Sequence, residues 1–407
     1  MTKRKTIYFD NNATTQISPS VFEAMVPYLT QYYGNPSSAY QIGREVNDAV
    51  QRAREQTAAL LGCDAREVIF TSCGTESDNT AILSALQTTG HRHVITSATE
   101  HSAVKNQAEH LERLGYGVTI LPVAADGTLQ ARQVEEALRP DTAIVSLMWA
   151  NNETGVLFPV EEIGELCRAR GVLFHTDAVQ AVGKIPIRLN DLKIDFLSVS
   201  GHKLHAPKGV GVLYVRRRAK FVPMLLGGHQ EKGKRGGTEN VASIVGLGQA
   251  ADEARENMSD EDTRVRGLRD KFENAVLSSI PGTQRNGHAE KRLPNTTNIS
   301  FSGVEAEALL IMLDQYGICA SAGSACTTGS LEPSHVLRAM GVPKELALTA
   351  LRFSFSVYNT EQEVDRVLAV LPGIVARLRA ETPSAAVLKS RVDSGEDITA
   401  GLAVDVL

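Results

Sequence analysis

The sequence predicts an α/β protein: a large domain with a mostly parallel sheet, helices on both of its faces, and a smaller α+β domain. Two observations carry that reading. Apolar, β-branched runs recur at 68–71, 93–97, 117–122, 142–148, 172–175, 196–200 and 211–215, separated mostly by helical segments. Runs of this kind belong to parallel strands that helices cover on both sides. Beyond about residue 251 the charge density rises and the strand–helix rhythm changes. The large domain is therefore expected over 18–260 and the small one over 261–382. Residues 383–407 lack periodicity and read as a weakly attached tail. A chain of 407 residues is too long for one small domain and suits two unequal ones.

Composition narrows the function classes. Hydrophobic residues at 43% and charged ones at 22% are ordinary for a soluble globular protein. A net charge of −5 argues against nucleic-acid binding, which needs a basic face. The basic Met1-Thr2-Lys3-Arg4-Lys5 leads into strand-like Thr6-Ile7-Tyr8-Phe9 rather than an apolar run, so no signal peptide is expected. Nothing approaches the roughly 18 consecutive apolar residues of a membrane span. Five scattered cysteines fit a reducing cytoplasm better than a disulfide framework. The absence of CxxC and HExxH spacings predicts no metal site.

Taken in order, Tyr8-Phe9-Asp10-Asn11-Asn12-Ala13-Thr14-Thr15 is a short strand followed by a polar turn. Residues 33–38, Tyr-Gly-Asn-Pro-Ser-Ser, form a loop. A helix over 40–61 shows apolar spacing at Val46, Ala49, Val50 and Ala53. After the first sheet strand, Ser72-Cys73-Gly74-Thr75-Glu76 enters a helix. Glycine and hydroxyl residues there make an anion cradle, although simple N-capping would use the same residues. His101 follows the second strand, where a histidine is commonly structural. Asn151-Asn152-Glu153 reads as a turn, and 227–240 as a glycine-rich basic loop. An amphipathic helix over 264–278 and short strands at 298–301 and 317–320 follow. Leu351-Arg352-Phe353-Ser354-Phe355-Ser356 then presents an arginine from a strand. Its planar guanidinium suits an α-carboxylate, with a structural role equally open.

The chain is organised around Asp195-Phe196-Leu197-Ser198-Val199-Ser200-Gly201-His202-Lys203, a buried strand running out to a lysine. A lysine amine becomes a good nucleophile when it forms a Schiff base with an aldehyde cofactor. Pyridoxal 5'-phosphate (PLP) is such a cofactor, and its enzymes need an acidic partner for the pyridine nitrogen. The preceding strand ends in Asp177, with Gln180 three residues on. Singly, Lys203 would be a solvated surface group and Asp177 a helix cap. Together, at the carboxyl ends of neighbouring strands where α/β sheets bind ligands, they form the skeleton of a PLP site.

His175-Thr176-Asp177-Ala178-Val179-Gln180 and Ser200-Gly201-His202-Lys203 resemble the cofactor signatures of cysteine desulfurases, PLP enzymes of the class V aminotransferase group. The resemblance runs from about residue 8 to 378. It points to the NifS/IscS branch, with Leu204-His205-Ala206-Pro207-Lys208-Gly209 on the NifS side. It implies the PLP-dependent transferase fold of type I, with residues 1–17 folded into the small domain. Lys203 is then the catalytic lysine and Asp177 the partner of the pyridine nitrogen. Gln180 and Asn152 serve the phenolic oxygen, while His101 stacks on the ring and moves protons. Gly74, Thr75, Ser200 and His202 hold the phosphate, joined by Thr238 of a neighbouring subunit. Asn12, Ala13, Asn152 and Arg352 lie at the amino acid. Lys232 and Lys234 stand where the pattern usually has arginines, losing the bidentate fork.

The same resemblance implies L-cysteine as substrate, L-alanine as product and a homodimer as the active unit. Sulfur would pass through an enzyme persulfide to an iron–sulfur scaffold protein, for nitrogenase or for general cluster assembly. Cys326 is the expected acceptor, within Ser321-Ala322-Gly323-Ser324-Ala325-Cys326-Thr327-Thr328-Gly329-Ser330. That run of small residues buries little apolar area and predicts a mobile loop like that of the long-loop desulfurases. A tolerated small residue would explain Cys326 too, but an exposed thiol is a chemical liability that needs a reason. A conventional aminotransferase on the same scaffold has no use for Cys326. A sulfur carrier or scaffold without catalysis leaves Lys203, Asp177 and His101 idle.

Overall fold

Residues 6–322 and 332–381 are described by the structure, a computed structural model. Its strands are β1 (Ile7–Tyr8), β2 (Val68–Thr71), β3 (His93–Ser97), β4 (Gly117–Leu121), β5 (Thr142–Ser146), β6 (Leu173–Asp177), β7 (Phe196–Ser200), β8 (Gly211–Val215), β9 (Thr283–Arg285), β10 (Thr296–Phe301), β11 (Ile318–Cys319) and β12 (Ala350–Ser354). Seven of them form one sheet in the order β2-β8-β7-β6-β5-β3-β4. The pairs β3–β4, β3–β5, β5–β6 and β6–β7 are parallel, as the apolar runs predict. Strand β8 is the exception, antiparallel to both β2 and β7. The 201–210 connection holds only a 3-10 turn at Gly201–Lys203. That is too short for the crossover a parallel neighbour requires. Because β8 reverses, β2 runs in the same direction as β7, and all the other strands of the sheet end on one edge.

Alternation along the strands accounts for burial on both faces. Leu197, Val199, Val212 and Tyr214 join one core cluster, while Phe196, Leu213 and Val215 join the cluster on the opposite side. The helices α1 (Pro19–Thr30), α2 (Gln41–Leu61), α3 (Gly74–Thr89) and α4 (Ser102–Arg113) lie along the first half of the chain. The expected helix over 264–278 runs Arg266–Ser279 and is preceded by a π-helical turn at Glu261–Val265.

A separate core surrounds the antiparallel sheet β12-β10-β9. Phe9 packs 4.6 Å from Phe355, and Phe272 packs 4.7 Å from Phe353, centroid to centroid. Strand β1 pairs in parallel with β11, Ile7 opposite Ile318 and Tyr8 opposite Cys319. The first described residues therefore sit in the same core as the last helix, Glu361–Glu381. From there the chain crosses to the main sheet at residues 10–15.

One glycine ties the sheet to the turn that opens α3. A Cβ on Gly211 would come 2.7 Å from the Cys73 carbonyl carbon and 2.8 Å from the Val199 oxygen. Both are main-chain atoms and cannot swing aside. Gly211→Ala should therefore displace the Cys73–Gly74 backbone and cost about 1–3 kcal/mol through overpacking. The check is the urea unfolding midpoint, and a parental midpoint would refute the contact.

Candidate active site

Strand β7 delivers Ser200 to the sheet's carboxyl edge, and the 3-10 turn then turns Lys203 back over that edge. Its ammonium donates to two carbonyls of the N-terminal turn, Asn12 O at 2.8 Å and Ala13 O at 2.6 Å. Burial pushes this amine down to about 8, and the Arg352 charge pushes the same way. Asp10 and Asp177 oppose that shift. A lysine held in this way gives up its proton more readily than a solvated one and is better suited to accept a proton.

Strand β6 ends in Asp177, two positions after His175 on the same face of the strand. Asp177 is buried, and Oδ1 accepts from the Val179 N–H at 2.9 Å. Burial raises its carboxyl, offset by His101, by that N–H and by Lys203. His101 caps α4, with Nδ1 accepting from the Ala103 N–H at 3.2 Å. Desolvation lowers the His101 imidazole, while the Asp177 charge raises it. A buried acid, an imidazole and a lysine thus share one electrostatic neighbourhood.

The anion cradle lies beside them. The residue preceding α3, Cys73, provides no side-chain cap for the helix's first N–H groups. A Cβ on Gly74 would meet Val179 Cγ2 at 2.8 Å and Ser200 Cβ at 3.5 Å. The bare α3 N-terminus therefore abuts the ends of both β6 and β7. His202 hydrogen-bonds Thr14 Oγ1 at 3.1 Å, and burial holds its imidazole down to about 4. Thr75 is exposed at the helix start.

On the other side, Gln180 donates Nε2 to Asn12 O at 3.0 Å. Its Oε1 is buried with no hydrogen-bond partner among the described residues. Arg352 reaches Asp10 Oδ1 at 2.7 Å and Asn152 O at 3.0 Å. Its Nε is also buried without a partner. These features suit a phosphorylated, nitrogen-containing ring: an uncapped helix end for the phosphate, a buried acid for the ring nitrogen and unsatisfied donors and acceptors around it. The residues fit PLP.

Comparison with known proteins agrees with the geometry. The family model for class-V aminotransferases matches residues 7–367. The chain belongs to the class-V aminotransferase family. A cysteine desulfurase from Nostoc sp. is 55% identical over 378 residues, 93% of this chain and 94% of the relative. The cysteine desulfurase NifS of Azotobacter vinelandii is 52% identical over 379 residues, 93% and 94% of the two chains. Among solved structures, a NifS-like protein superposes with a TM-score of 0.86 at 38% identity, covering 92% of this chain and 100% of its own. The NifS-type branch of the family expected from the signatures is thereby shown. Family members are PLP-dependent enzymes.

Against that family background, Lys203, Asp177, His101, Gln180, Asn152, Asn12, Ala13, Arg352, Gly74, Ser200 and His202 gather along one edge of the sheet. Thr238 lies exposed. Cys326 falls outside the described residues. Four groups were missed from the sequence: Asp10 on Arg352, Arg235 on Glu76, and the buried Glu100 and His335, whose Nε2 meets Glu100 O at 2.8 Å. Only Asp10 left a signal, in the same polar turn as Asn12; the others are contacts across the fold.

The lowered lysine is directly testable in this class-V family member without a cofactor. Reductive methylation of Lys203, followed by peptide mass spectrometry, should show a rate midpoint near pH 8. An ordinary lysine would titrate near about 10.4. Arg352→Met removes a like charge and should move the midpoint upward. A parental midpoint near that of surface lysines would contradict the burial of this amine.

Proposed function

We propose that the protein is a PLP-dependent cysteine desulfurase that converts L-cysteine to L-alanine and passes the sulfur to an enzyme persulfide. The observation that carries the reading is Lys203. Its ε-amine is held at the sheet edge by two carbonyls, in the field of buried Asp177 and near an uncapped helix N-terminus. PLP, held by Lys203, Asp177, Gln180, Asn152 and the Gly74–Thr75–Ser200–His202 cradle with a partner's Thr238, supplies an electron sink.

The chain's own groups do the rest. Arg352 exchanges Asp10 for the substrate carboxylate, with Asn12, Ala13 and Asn152 lining the amino acid. Neutral Lys203 takes the α-proton and His101 relays it. Asp177 keeps the ring nitrogen protonated. The Cys326 thiolate then bonds to the substrate sulfur, and the Cβ–S bond breaks with its electron pair left on carbon. Protonation of that fragment gives alanine, so the reaction needs no outside oxidant or reductant. Burial disfavours three of the other thiols as nucleophiles, since it pushes Cys63 and Cys167 up to about 12 and raises Cys319 too.

An iron–sulfur scaffold protein is the proposed acceptor, with nitrogenase clusters among its products. A homodimer is supported by one exposed apolar face of α1 and its end: Phe22, Val26, Leu29 and Tyr33. Their spacing lines one side of the helix. Among the described residues no helix is long and apolar enough to cross a membrane. We place the enzyme in the cytoplasm, with domains at 18–260 and at 1–17 plus 261–382.

Three variants test the assignment. Lys203→Ala should abolish both turnover and the visible absorbance of bound PLP. Asp177→Ala should keep some PLP while losing about 10²–10³ in rate, because the electrostatic support of the sink is gone. Cys326→Ala should keep the spectral response to L-cysteine while losing alanine release by about 10³ or more. Labelled sulfur found on another cysteine, with Cys326→Ala fully active, would remove Cys326 from the reaction. Keto-acid-dependent amino transfer without cysteine turnover would favour an ordinary aminotransferase.

A further inference from the structure

Lys203 also lines a small cleft whose lining does not include Asp177. Lys184, Lys203, His205, Glu253, Glu261 and Tyr358 are among its lining residues. The space open to water-sized occupants is about 30 Å³. One water needs about 10–15 Å³, so a water or two fits there and an amino acid does not. The cleft is a place for charge rather than for substrate.

Local packing fixes the charges that face it. Gly183 has φ +75°, and a Cβ there would come 2.4 Å from Leu204 Cδ2. The turn carrying Lys184 is thus pressed against the residue that follows Lys203. Lys184 is 4% exposed, and among the described residues no carboxylate lies within ion-pair distance of it. Glu261 opens the π-helical turn, is 5% exposed, and has a buried Oε2 without a hydrogen-bond partner. A buried ammonium and a buried, unsatisfied carboxyl therefore face one small cleft whose third wall is the catalytic lysine. None of the chemistry described above uses either.

We propose that Lys184 is a positioning residue that acts on Lys203 through this shared cleft, its charge disfavouring a second positive charge on the ε-amine. The inference rests on the assignment of Lys203 as the cofactor lysine. The charges facing Lys203 are Asp10 and Arg352 from the N-terminal turn and β12, Asp177 from β6 and Lys184 from the 178–184 turn. His101 and His202, and from the cleft His205, Glu253 and Glu261, complete the set. Asp10 and Asp177 favour the protonated amine, burial and Arg352 oppose them most, and Lys184 adds to that opposition from the cleft. His205 carries the same imprint: burial and then Lys184 push its imidazole down to about 4.

The test is a pH titration of the holoenzyme's visible absorbance. Lys184→Met and Lys184→Gln should raise the midpoint by about half a unit or more. Lys184→Arg should keep it near the parent. In the cofactor-free full chain, the His205 imidazole followed by NMR should also titrate higher in both neutral variants. A merely structural lysine would move neither. Parental midpoints in a folded Lys184→Met or Lys184→Gln protein overturn the inference, and leave the proposed function standing if the parent still releases alanine from L-cysteine. A raised midpoint supports the inference whatever amino acid the enzyme uses.

Discussion

Asn12 uses every polar atom it has, and the site depends on the result. Its N–H donates to Ser354 Oγ, and its carbonyl accepts from Gln180 and Lys203. The side-chain amide donates to Asn152 O and Thr296 Oγ1, while Oδ1 accepts from Asn295. Ser354, Thr296 and Asn295 belong to the antiparallel sheet and its flank, whereas Gln180, Asn152 and Lys203 follow strands of the parallel one. One buried residue thereby joins two cores across the reaction centre. Each bond alone is worth only about 1 kcal/mol, but a buried polar group left unpaired costs as much again or more. The set holds together because no member can leave cheaply.

The same edge concentrates titratable groups whose environments push them apart. Glu100, fully desolvated, is pushed up to about 8 despite bonds from Ser97 Oγ and the Met148 N–H. Asp78 is raised well above the usual carboxylate range by burial and then by the Asp177 charge. His175, bonded to Ser146 and Ser198, is driven down to about 3 by burial. A neutral imidazole and neutral neighbouring acids leave Asp177 as the group best able to carry a negative charge toward a cationic ring nitrogen. Acid strength here is set by what surrounds each carboxyl, not by residue type.

Much of this was legible in the sequence because it is local. Strand ends are fixed by apolar runs, and Asp177, Ser200 and Lys203 follow them directly in the chain. The reversal of β8 was not read, since its apolar run looks like those of the parallel strands. What could not be read is pairing across distance. Arg352 looks like a free carboxylate clamp, yet one of its terminal nitrogens already holds Asp10, some 340 residues away in sequence. Thr238 and Cys326 carry their expected roles only through the family resemblance, since one needs a second chain and the other lies outside the described residues.

The loop of residues 228–238 shows how contacts can compensate for an unfavourable backbone. Glu231 and Lys232 both occupy the left-handed region, at φ 46° and 59°. Such residues cost about 1–2 kcal/mol each. The Glu231 carboxylate accepts from both terminal nitrogens of Arg54 at 2.7 Å and from the Phe70 N–H at 2.9 Å. Removing one partner of so buried a pair would cost about 3–5 kcal/mol, because the other charge would be left unpaired, so the loop's path is tied to this contact. A second fork, Arg235 on Glu76, ties the other end of the loop to the first turn of α3. Both forks are arginines with fixed carboxylate partners, whereas Lys232 is exposed and needs no planar geometry. Lysine at 232 is therefore compatible with an ordered loop: the bidentate contacts that fix its path come from Arg54 and Arg235, at positions where lysine could not replace them.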